Sequence, residues 1–319
     1  MNDWLTARIA LKHQEAEDIV SFKLVDPDGG ALPAFDAGAH VDVEVSPGLT
    51  RQYSLCNRPG DTHYVIAVLL EPASRGGSVA MQSLVEGTLL KISKPKNHFA
   101  LAPEAKRTLL FAGGIGVTPL LSMAEELAQH GAEFHLHYCA RTRDRMAFVD
   151  RIHHASFADK VSLHFDDGPF AQRLAPEREL VSVDKDTHIY VCGPTGFMNW
   201  ILHTARSNGW SEHQLHTEYF SNTPLPGENS LETFEVELAS THQLFTVEAG
   251  QSITNVLRAN GVYIPTSCEQ GVCGTCLTNV IEGIPDHRDA FLTEDERKAN
   301  QMMLPCCSRS KSPKLVLDL

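Results

Sequence analysis

Four of the eight cysteines follow a spacing that only a small set of folds can accommodate. Cys268, Cys273 and Cys276 form the pattern Cys-x4-Cys-x2-Cys, and Cys306 follows after 29 intervening residues. This is the plant-type spacing for a [2Fe–2S] cluster, which is held by four cysteine thiolates. The spacing therefore predicts that the last part of the chain folds around an iron–sulfur centre.

Two observations bear on the alternative, a structural zinc site. Zinc sites usually combine two short Cys-x2-Cys pairs, whereas this segment has one, formed by Cys273 and Cys276. Gly271 and Gly274 lie between the cysteines and permit backbone turns that direct N–H groups at sulfur, which suits an anionic cluster. The iron–sulfur cluster is the favoured interpretation.

The fourth ligand is ambiguous because Cys306 and Cys307 are adjacent. Plant-type spacing selects Cys306, and Cys307 is then expected to be an ordinary buried thiol. Cys56 and Cys139 stand alone in the chain and are interpreted as small packing residues.

Composition limits the other classes of function. With 319 residues, of which 42% are hydrophobic, the chain is long enough for two or three domains with their own cores. Its net charge of −13 argues against nucleic-acid binding, which needs a basic surface. The most apolar stretch, 109–124, is broken by three glycines and a proline, so no membrane span is expected. No secretory signal is visible and the cysteines are too few for a disulfide scaffold, so we expect a cytoplasmic protein.

The pattern of apolar residues divides the chain into three parts. Residues 1–103 contain short strands separated by Gly, Pro and Asp turns, which predict an antiparallel β-barrel. Residues 104–222 alternate strand-like and helical runs, which predict an α/β domain with a parallel sheet. The segment 223–232 is the expected linker, and residues 233–319 are the cysteine-bearing domain.

A glycine-rich turn lies between a predicted strand and a predicted helix in the second part. The run Gly113-Gly114-Ile115-Gly116-Val117-Thr118-Pro119 has the context in which backbone N–H groups hold a dinucleotide pyrophosphate, with Gly114 and Gly116 in the turn. Thr118 is predicted to cap the helix, and Pro119 to occupy its first position. The run departs from Gly-x-Gly-x-x-Gly at Pro119, and Arg141 stands where an acidic residue is expected. A tight loop without a ligand is therefore the alternative.

The first part carries two elements that suit a phosphorylated aromatic ligand. In the predicted strand containing Arg51-Gln52-Tyr53-Ser54, alternation places Arg51 and Tyr53 on one face, as a cation for phosphate and a ring for stacking. The run Arg75-Gly76-Gly77-Ser78 is a second candidate anion-binding turn, and a helix is predicted to open at Val79. Either element alone would be weak evidence, because many strands and turns carry such residues.

Several motifs resemble known redox domains. The run 266–276 resembles the cluster loop of plant-type ferredoxins. Cys192-Gly193-Pro194 and Glu218-Tyr219-Phe220 resemble the nicotinamide domain of ferredoxin reductases, and the motif 51–54 resembles their flavin domain. The order of flavin domain, nicotinamide domain and C-terminal ferredoxin resembles the phthalate dioxygenase reductase family over essentially the full length. The resemblance implies an α+β, β-grasp-like fold for the third domain.

The resemblance also implies roles for single residues. Ser54 would approach the reactive N5 atom of the flavin, Cys192 would lie beside the nicotinamide ring, and Phe220 would lie close to the flavin. Gly116 and Thr118 would lie near the pyrophosphate and the nicotinamide. FMN is the flavin of this family, although nothing in the sequence independently excludes FAD.

NADH is the expected electron donor, because the family is mostly NADH-dependent. Arg141 and Arg143 follow the second strand of the α/β domain, where two cations could receive the 2′-phosphate of NADPH. The alternative coenzyme therefore stays open at the level of sequence.

The expected function is electron transfer in an oxygenase system. A nicotinamide delivers two electrons as a hydride, a [2Fe–2S] cluster accepts one at a time, and a flavin can mediate between them. The family implies a Rieske-type, non-haem iron oxygenase as the partner, acting on an aromatic or similar small substrate. The alternatives are a stand-alone NAD(P)H-dependent reductase that serves another one-electron acceptor, and a non-enzymatic electron carrier.

The acidic run Glu294-Asp295-Glu296 allows two interpretations. It could steer a basic partner, since residues 226–319 carry a net charge of −6. Thr293 and Glu296 also match a capping box, and acidic residues in a first helical turn complement the helix dipole. The helix cap is the favoured interpretation.

Overall fold

The computed structural model describes residues 4–71, 74, 76–220 and 233–319. The chain divides into two compact units, residues 1–218 and residues 219–319. The predicted linker, 223–232, lies outside the described residues. Across the described part of the chain, no helix is long and apolar enough to cross a membrane.

The first unit begins with an antiparallel sheet and one short helix. Their bounds are β1 (Trp4–Ala16), β2 (Ile19–Val25), β3 (Ala39–Ser46), β4 (Leu49–Ser54), β5 (Tyr64–Leu69), α1 (Gly77–Ser83), β6 (Leu89–Ser93) and β7 (Lys96–Asn97). The strand order is β4-β3-β6-β1-β2-β5, with β7 paired to β3. Strands β4 and β5, at the two ends of this order, contact each other, so the sheet curls around its core as a barrel does. The helix begins two residues before the predicted Val79.

A parallel sheet with helices follows in the same unit. Its elements are β8 (Arg107–Gly113), α2 (Val117–Gln129), β9 (Glu133–Ala140), α3 (Val149–His153), β10 (Val161–Phe165), α4 (Pro176–Glu179), β11 (Thr187–Cys192), α5 (Thr195–Ser207) and β12 (Leu215–Glu218). The strand order is β10-β9-β8-β11-β12, and every pairing is parallel. The order reverses between β8 and β11, and ligands of open α/β sheets bind at the carboxyl ends of the strands at such a reversal.

The antiparallel and parallel sheets share a hydrophobic core. Cys56 and Phe99, from the barrel part, belong to the same buried cluster as Leu110 on β8 and Leu121 on α2. Packing of this kind explains why residues 1–218 form one compact unit. The predicted division between residues 103 and 104 stays a prediction.

The second unit contains a small mixed sheet. Its elements are β13 (Phe234–Leu238), β14 (Leu244–Val247), α6 (Ile253–Ala259), β15 (Thr278–Glu282), β16 (Pro285–Asp286), α7 (Glu294–Ala299), β17 (Met302–Met303), β18 (Arg309–Ser310) and β19 (Lys314–Leu317). The main sheet has the order β14-β13-β19-β15-β17, in which β13 and β19 are parallel, and β16 pairs with β18. Phe234, Val236 and Leu315 form its core together with the thiols of Cys276 and Cys306. The fold predicted from the sequence, with three sheet-containing parts of these types, is confirmed.

The predicted cap of α2 is wrong. The helix begins at Val117, so that Thr118 and Pro119 are its second and third residues, and Gly116 precedes it without a side-chain cap. The Thr118 hydroxyl donates a hydrogen bond to the Ile115 carbonyl at 3.0 Å instead of accepting one. A 3₁₀ turn, Gly114–Gly116, leads directly into the helix, which removes the need for a capping side chain at Thr118.

The predicted cap of α7 is confirmed. The Thr293 hydroxyl accepts a hydrogen bond from the Glu296 N–H at 3.3 Å, and the Thr293 N–H donates to Glu296 Oε2 at 2.8 Å. Glu294 forms an ion pair with Lys298 at 3.5 Å. The acidic run therefore has a structural role at the start of α7.

Three histidines lie on one face of the parallel sheet, His135 and His137 on β9 and His164 on β10. His137 Nδ1 lies 3.2 Å from His164 Nε2, and the His137 ring stacks on Phe111 with 5.0 Å between centroids. Burial lowers the pKa of His137 to about 3, and burial also lowers the pKa values of His135 and His164. The folded protein therefore keeps these imidazoles neutral.

We expect the free energy of unfolding to decrease as the pH falls below about 6.5, the pKa of an unfolded histidine. The reason is that the unfolded chain takes up protons that the folded chain excludes. Replacing His137 by Phe should reduce this pH dependence, measured as the difference between the midpoints of thermal unfolding at about pH 7.5 and about pH 5. The exposed His154, replaced by Gln, is the control and should leave the difference unchanged. An undiminished difference in H137F would contradict the prediction.

Candidate functional site

Strand β4 presents the predicted flavin motif. Arg51 pairs with Val43 and Tyr53 with Val41 on β3, so the two side chains lie on the same side of the strand. Both are half-buried. Burial raises the pKa of the Tyr53 phenol well above its ordinary value, and the Arg51 cation opposes this effect only in part. Tyr53 is therefore neutral at physiological pH and available for stacking and hydrogen bonding.

The glycine turn before α1 packs against Arg51. A Cβ atom on Gly77 would lie 2.7 Å from Arg51 Cγ and 2.8 Å from Arg51 Nε, so no other residue fits there without displacing the arginine. Gly76 has a φ of +90°, which glycine adopts at little cost. The structure thus brings together the cation and the glycine turn that the sequence predicts separately. This pairing fits the phosphate of a flavin nucleotide.

Two other members of the predicted turn stand differently. The Ser78 hydroxyl donates a hydrogen bond to Ser74 Oγ at 2.9 Å and accepts one from the Glu71 N–H at 3.2 Å. Ser78 therefore stabilises the turn itself. Arg75 lies outside the described residues.

The end of β4 is connected to the parallel sheet through a carboxyl group. The Ser54 hydroxyl donates a hydrogen bond to Glu218 Oε2 at 3.1 Å. Glu218 ends β12 and pairs with Cys192, the last residue of β11. The structure thus joins the predicted flavin contact Ser54 and the predicted nicotinamide contact Cys192 to one acidic residue.

Glu218 is a site residue that sequence reasoning missed. Burial raises its pKa to about 7, although the hydrogen bond from Ser54 lowers it. Burial raises the pKa of the Cys192 thiol strongly, and the neighbouring Glu218 adds to that effect. Glu218 begins the Glu-Tyr-Phe motif that resembles the reductases, but its strand alone does not show which side chain meets Ser54.

Two glycine turns meet at the reversal of strand order. A Cβ atom on Gly116 would collide with the carbonyl of Cys192 and would lie 2.6 Å from Gly193 N. A Cβ atom on Gly193 would lie 2.9 Å from Gly113 Cα. Gly114, which lies between Gly113 and Gly116 in the chain, has a φ of +54°. Backbone N–H groups from both turns therefore lie at the carboxyl edge of the sheet, where a pyrophosphate binds in folds of this kind.

The other predicted nucleotide contacts, Thr118, Pro194 and Arg141, differ in their exposure and position. Thr118 is 2% exposed, and its hydroxyl bonds to the Ile115 carbonyl. Pro194 precedes α5 and lies close to Gly113, whose Cβ would be 3.0 Å from Pro194 Cδ. Arg141 is exposed directly after β9. These positions leave Pro194 at the glycine contact and Arg141 at the surface beyond the strand.

The four predicted cluster ligands lie buried in the second unit as two pairs. Cys268, Cys273, Cys276 and Cys306 are 7%, 8%, 2% and 8% exposed. Cys268 and Cys273 share a hydrogen bond that lowers the pKa of Cys273 to about 5 and raises that of Cys268. A second hydrogen bond joins Cys276 and Cys306 and raises the pKa of Cys276. Two pairs of thiols match the two irons of a [2Fe–2S] cluster, each with two cysteine ligands.

The pairing of the four thiols fits a centre with two metal ions, whereas a structural zinc site places four ligands around one ion.

Backbone geometry around the thiols matches the prediction for the two loop glycines. Gly271 and Gly274 have φ values of +74° and +70°. A Cβ atom on Gly274 would collide with the Phe291 ring. The Gly271 N–H donates to the Cys306 sulfur, and the Gln270 N–H donates to Cys268 Sγ at 3.3 Å. N–H groups thus point at the sulfurs, as an anionic cluster requires.

The neighbouring thiols differ in their surroundings. Cys307 is half-buried and its sulfur lies 3.7 Å from the Leu304 carbonyl, whereas the Cys306 thiol is buried and hydrogen-bonded to the Cys276 thiol. These contacts support Cys306 as the fourth ligand. Cys56 is fully buried, as expected of a packing residue.

The placement of Phe220 beside the flavin stays a prediction. Phe220 is 37% exposed and belongs to the second unit, whereas the flavin motif on β4 belongs to the first.

We expect Cys306→Ser to lose most of its iron, because a hydroxyl is a poorer iron ligand than a thiolate. Cys307→Ser is the matched control and should retain iron at the wild-type level. Iron per polypeptide and the visible absorption spectrum measure both. Iron loss in C307S with iron retained in C306S would contradict the ligand assignment.

Comparison with known proteins agrees with this geometry. Residues 236–311 match the 2Fe-2S iron-sulfur cluster binding domain, and residues 110–203 match the oxidoreductase NAD-binding domain. The chain is 52% identical over 306 residues to the vanillate O-demethylase oxidoreductase of Pseudomonas sp. (strain HR199 / DSM 7063), covering 95% of this chain and 96% of that protein. It is 38% identical to the carnitine monooxygenase reductase subunit of Escherichia coli (strain K12), with all of both chains covered.

A solved structure shows the same architecture. Phthalate dioxygenase reductase, described as a modular structure for electron transfer from pyridine nucleotides to [2Fe-2S], superposes with a TM-score of 0.80 at 38% identity. The match covers 99% of this chain and 98% of that chain. With buried thiol pairs, a nucleotide-binding sheet and these relatives, the chain belongs to the phthalate dioxygenase reductase family, as an oxidoreductase with NAD-binding and [2Fe–2S] domains.

Proposed function

We propose that the chain is the reductase component of a Rieske-type oxygenase system, carrying electrons from NADH through FMN and a [2Fe–2S] cluster to the oxygenase. The observation that carries this proposal is the hydrogen bond from Ser54 to Glu218, at 3.1 Å, beside Cys192. This bond joins the end of β4, which carries the proposed flavin contacts, to the carboxyl edge of the parallel sheet. A hydride donor and its acceptor need such proximity, because transfer requires the reacting atoms in near contact.

FMN is the proposed flavin, and the residues of the first unit fit it. Arg51 and the turn at Gly76 and Gly77 would hold its phosphate, and Tyr53 would contact its ring system. Bound FMN supplies the conversion of a two-electron hydride into single electrons. Ser54 would place its hydroxyl next to the reacting edge of the ring while Glu218 fixes the orientation of that hydroxyl.

NADH is the proposed electron donor. The contact between Gly116 and Gly193 keeps side chains away from the pyrophosphate position, and backbone N–H groups there can bind its charge. Cys192 would lie against the nicotinamide, and its raised pKa keeps the thiol neutral beside the ring. Arg141 and Arg143 are exposed after β9, so NADPH is the alternative coenzyme.

The proposed partner is the terminal oxygenase, which would act on an aromatic or similar small organic substrate. Support comes from the relatives, which are named vanillate O-demethylase oxidoreductase, phenoxybenzoate dioxygenase subunit beta and carnitine monooxygenase reductase subunit. This chain would not contact the organic substrate. A stand-alone reductase for another one-electron acceptor is the second candidate. The cytoplasmic location stays a prediction.

The test is to separate the two halves of the electron path with Cys273→Ser. This variant should lose the cluster, while the first unit has its own core and should fold and bind flavin. We expect NADH to bleach the flavin absorbance as in the wild type and small two-electron acceptors to be reduced. Transfer to the oxygenase should fall to background. Bleaching by NADPH at equal concentration should be slower than by NADH.

Three outcomes would contradict the proposal. Full oxygenase turnover with C273S would exclude the cluster from the path. No visible bleaching of the wild-type protein by either coenzyme would indicate an electron carrier without a nicotinamide site. Faster reduction by NADPH would reverse the coenzyme assignment.

We expect the rate of NADH oxidation with a small acceptor to rise with pH through about 7, the pKa of Glu218. Loss of a hydride leaves the nicotinamide positively charged, and an ionised carboxylate stabilises that charge in the transition state. Below this pH Glu218 is protonated and the stabilisation is lost. Glu218→Gln should be slower at about pH 8 and should show no inflection near neutral pH.

Ser54→Ala provides the matched variant. The Ser54 hydrogen bond lowers the pKa of Glu218, so its removal should move the inflection to higher pH. An inflection that stays near 7 in E218Q would assign it to another group.

A further inference from the structure

Asp289 is a completely buried carboxylate in the loop between β16 and α7. Its side chain has no exposed surface. Burying a carboxylate without partners costs free energy, so the groups that contact Asp289 show how its charge is stabilised.

Backbone and hydroxyl groups hold the Asp289 carboxylate. The Leu292 N–H donates to Oδ2 at 2.8 Å and the Phe291 N–H donates to the same oxygen at 3.2 Å. The Ser308 hydroxyl donates to Oδ1 at 3.5 Å. Ser308 lies two residues beyond the proposed ligand Cys306, so the carboxylate is tied to the segment that carries the fourth thiolate.

Two cationic or titratable side chains also face Asp289. Arg297 Nη2 lies 3.7 Å from Oδ2 and donates to the Asp289 carbonyl at 2.7 Å, and His287 Nδ1 lies 3.7 Å from Oδ1. Burial alone would raise the pKa of Asp289, but the nearby His287 imidazole, the hydrogen bond from the Leu292 N–H and the charge of Arg297 outweigh it and lower the pKa. The group is therefore an anion at neutral pH.

The backbone of Asp289 packs on the cluster loop. A Cβ atom on Gly271 would lie 2.9 Å from Asp289 Cα and 3.0 Å from Asp289 Cβ. The Ala290 N–H donates to the Gly271 carbonyl at 2.9 Å. The Gly271 N–H in turn donates to the Cys306 sulfur. Asp289 thus contacts both chain segments that carry cluster ligands, through Gly271 on one side and Ser308 on the other.

We propose that Asp289 is a positioning residue of the iron–sulfur centre, whose buried negative charge lowers the reduction potential of the cluster. The proposal rests on the [2Fe–2S] assignment of the proposed function. Reduction adds one electron to a centre that is already anionic, and a fixed anion nearby disfavours that addition in a poorly screened environment. Net charge and hydrogen bonds to sulfur are the quantities that set such potentials.

The test is a redox titration of the full-length protein, with the reduced cluster measured by electron paramagnetic resonance. Asp289→Asn removes the charge and nearly preserves the shape and the acceptor for Leu292. At an ambient potential equal to the wild-type midpoint, we expect the ratio of reduced to oxidised cluster to rise about tenfold. For a one-electron couple this corresponds to a shift of about 59 mV.

Asp286→Asn is the matched control. The Asp286 side chain is 4% exposed, but its ion pair is with Arg288 at 2.7 Å. The ratio should change by less than about threefold in this variant. An equal rise in D286N and D289N would assign the effect to the overall charge of the domain and overturn the proposal.

Arg297→Gln keeps the test decisive if D289N loses its cluster. Removing this cation leaves Asp289 less neutralised, so the ratio of reduced to oxidised cluster should fall. An unchanged ratio in D289N with full iron content overturns the proposal, as does an unchanged or raised ratio in R297Q. If the wild-type protein itself shows no cluster signal, the proposed function fails instead.

Discussion

The close contact between two glycine turns determines where nucleotide chemistry can take place in the first unit. Gly116 lies against the backbone of Cys192 and Gly193, and Gly193 lies against Gly113. Any side chain at these positions would push β8 and β11 apart at their carboxyl ends. The reversal of strand order occurs at the same pair of strands, so the crevice and the N–H groups that line it have one origin.

The second constraint on this unit is the burial of Glu218. A carboxyl group with a pKa near 7 is held between the end of β4 and the end of β11, where Ser54 donates to it. The shared core around Phe99 and Leu110 fixes the barrel against the α/β part, so the hydrogen bond does not have to bring the two together. The orientation and the protonation state of the Glu218 carboxyl group therefore depend on the packing of this core, which lies away from the carboxyl group itself.

In the second unit, the fold is organised around its thiols. The sulfur atoms of Cys276 and Cys306 belong to the hydrophobic core itself, and the loop that carries the other two depends on positive φ at Gly271 and Gly274. Phe291, Cys307 and Asp289 occupy the space that side chains at these glycines would need. The conformation of the cysteine loop and the packing of the core therefore depend on each other. A side chain at either glycine would displace residues that pack around the cluster ligands.

The sequence by itself determined the sheet types, the cluster ligand spacing and the cap of α7. These follow from residues close together in the chain, such as Thr293 and Glu296, whose reciprocal hydrogen bonds need only one helical turn. The cap of α2 could not be predicted in this way, because a 3₁₀ turn precedes the helix and shifts its first residue.

Only the tertiary structure decided which distant groups meet. Ser54 and Glu218 are 164 positions apart, and neither strand shows on its own that their side chains form a hydrogen bond. The pairing of the thiols and the contact between Asp289 and Gly271 likewise depend on how the loops pack around a common core. The type of each strand and helix follows from the periodicity of its own residues. Contacts between distant residues depend instead on the order of the strands and on the close packing at glycines, and no single segment of the sequence encodes these.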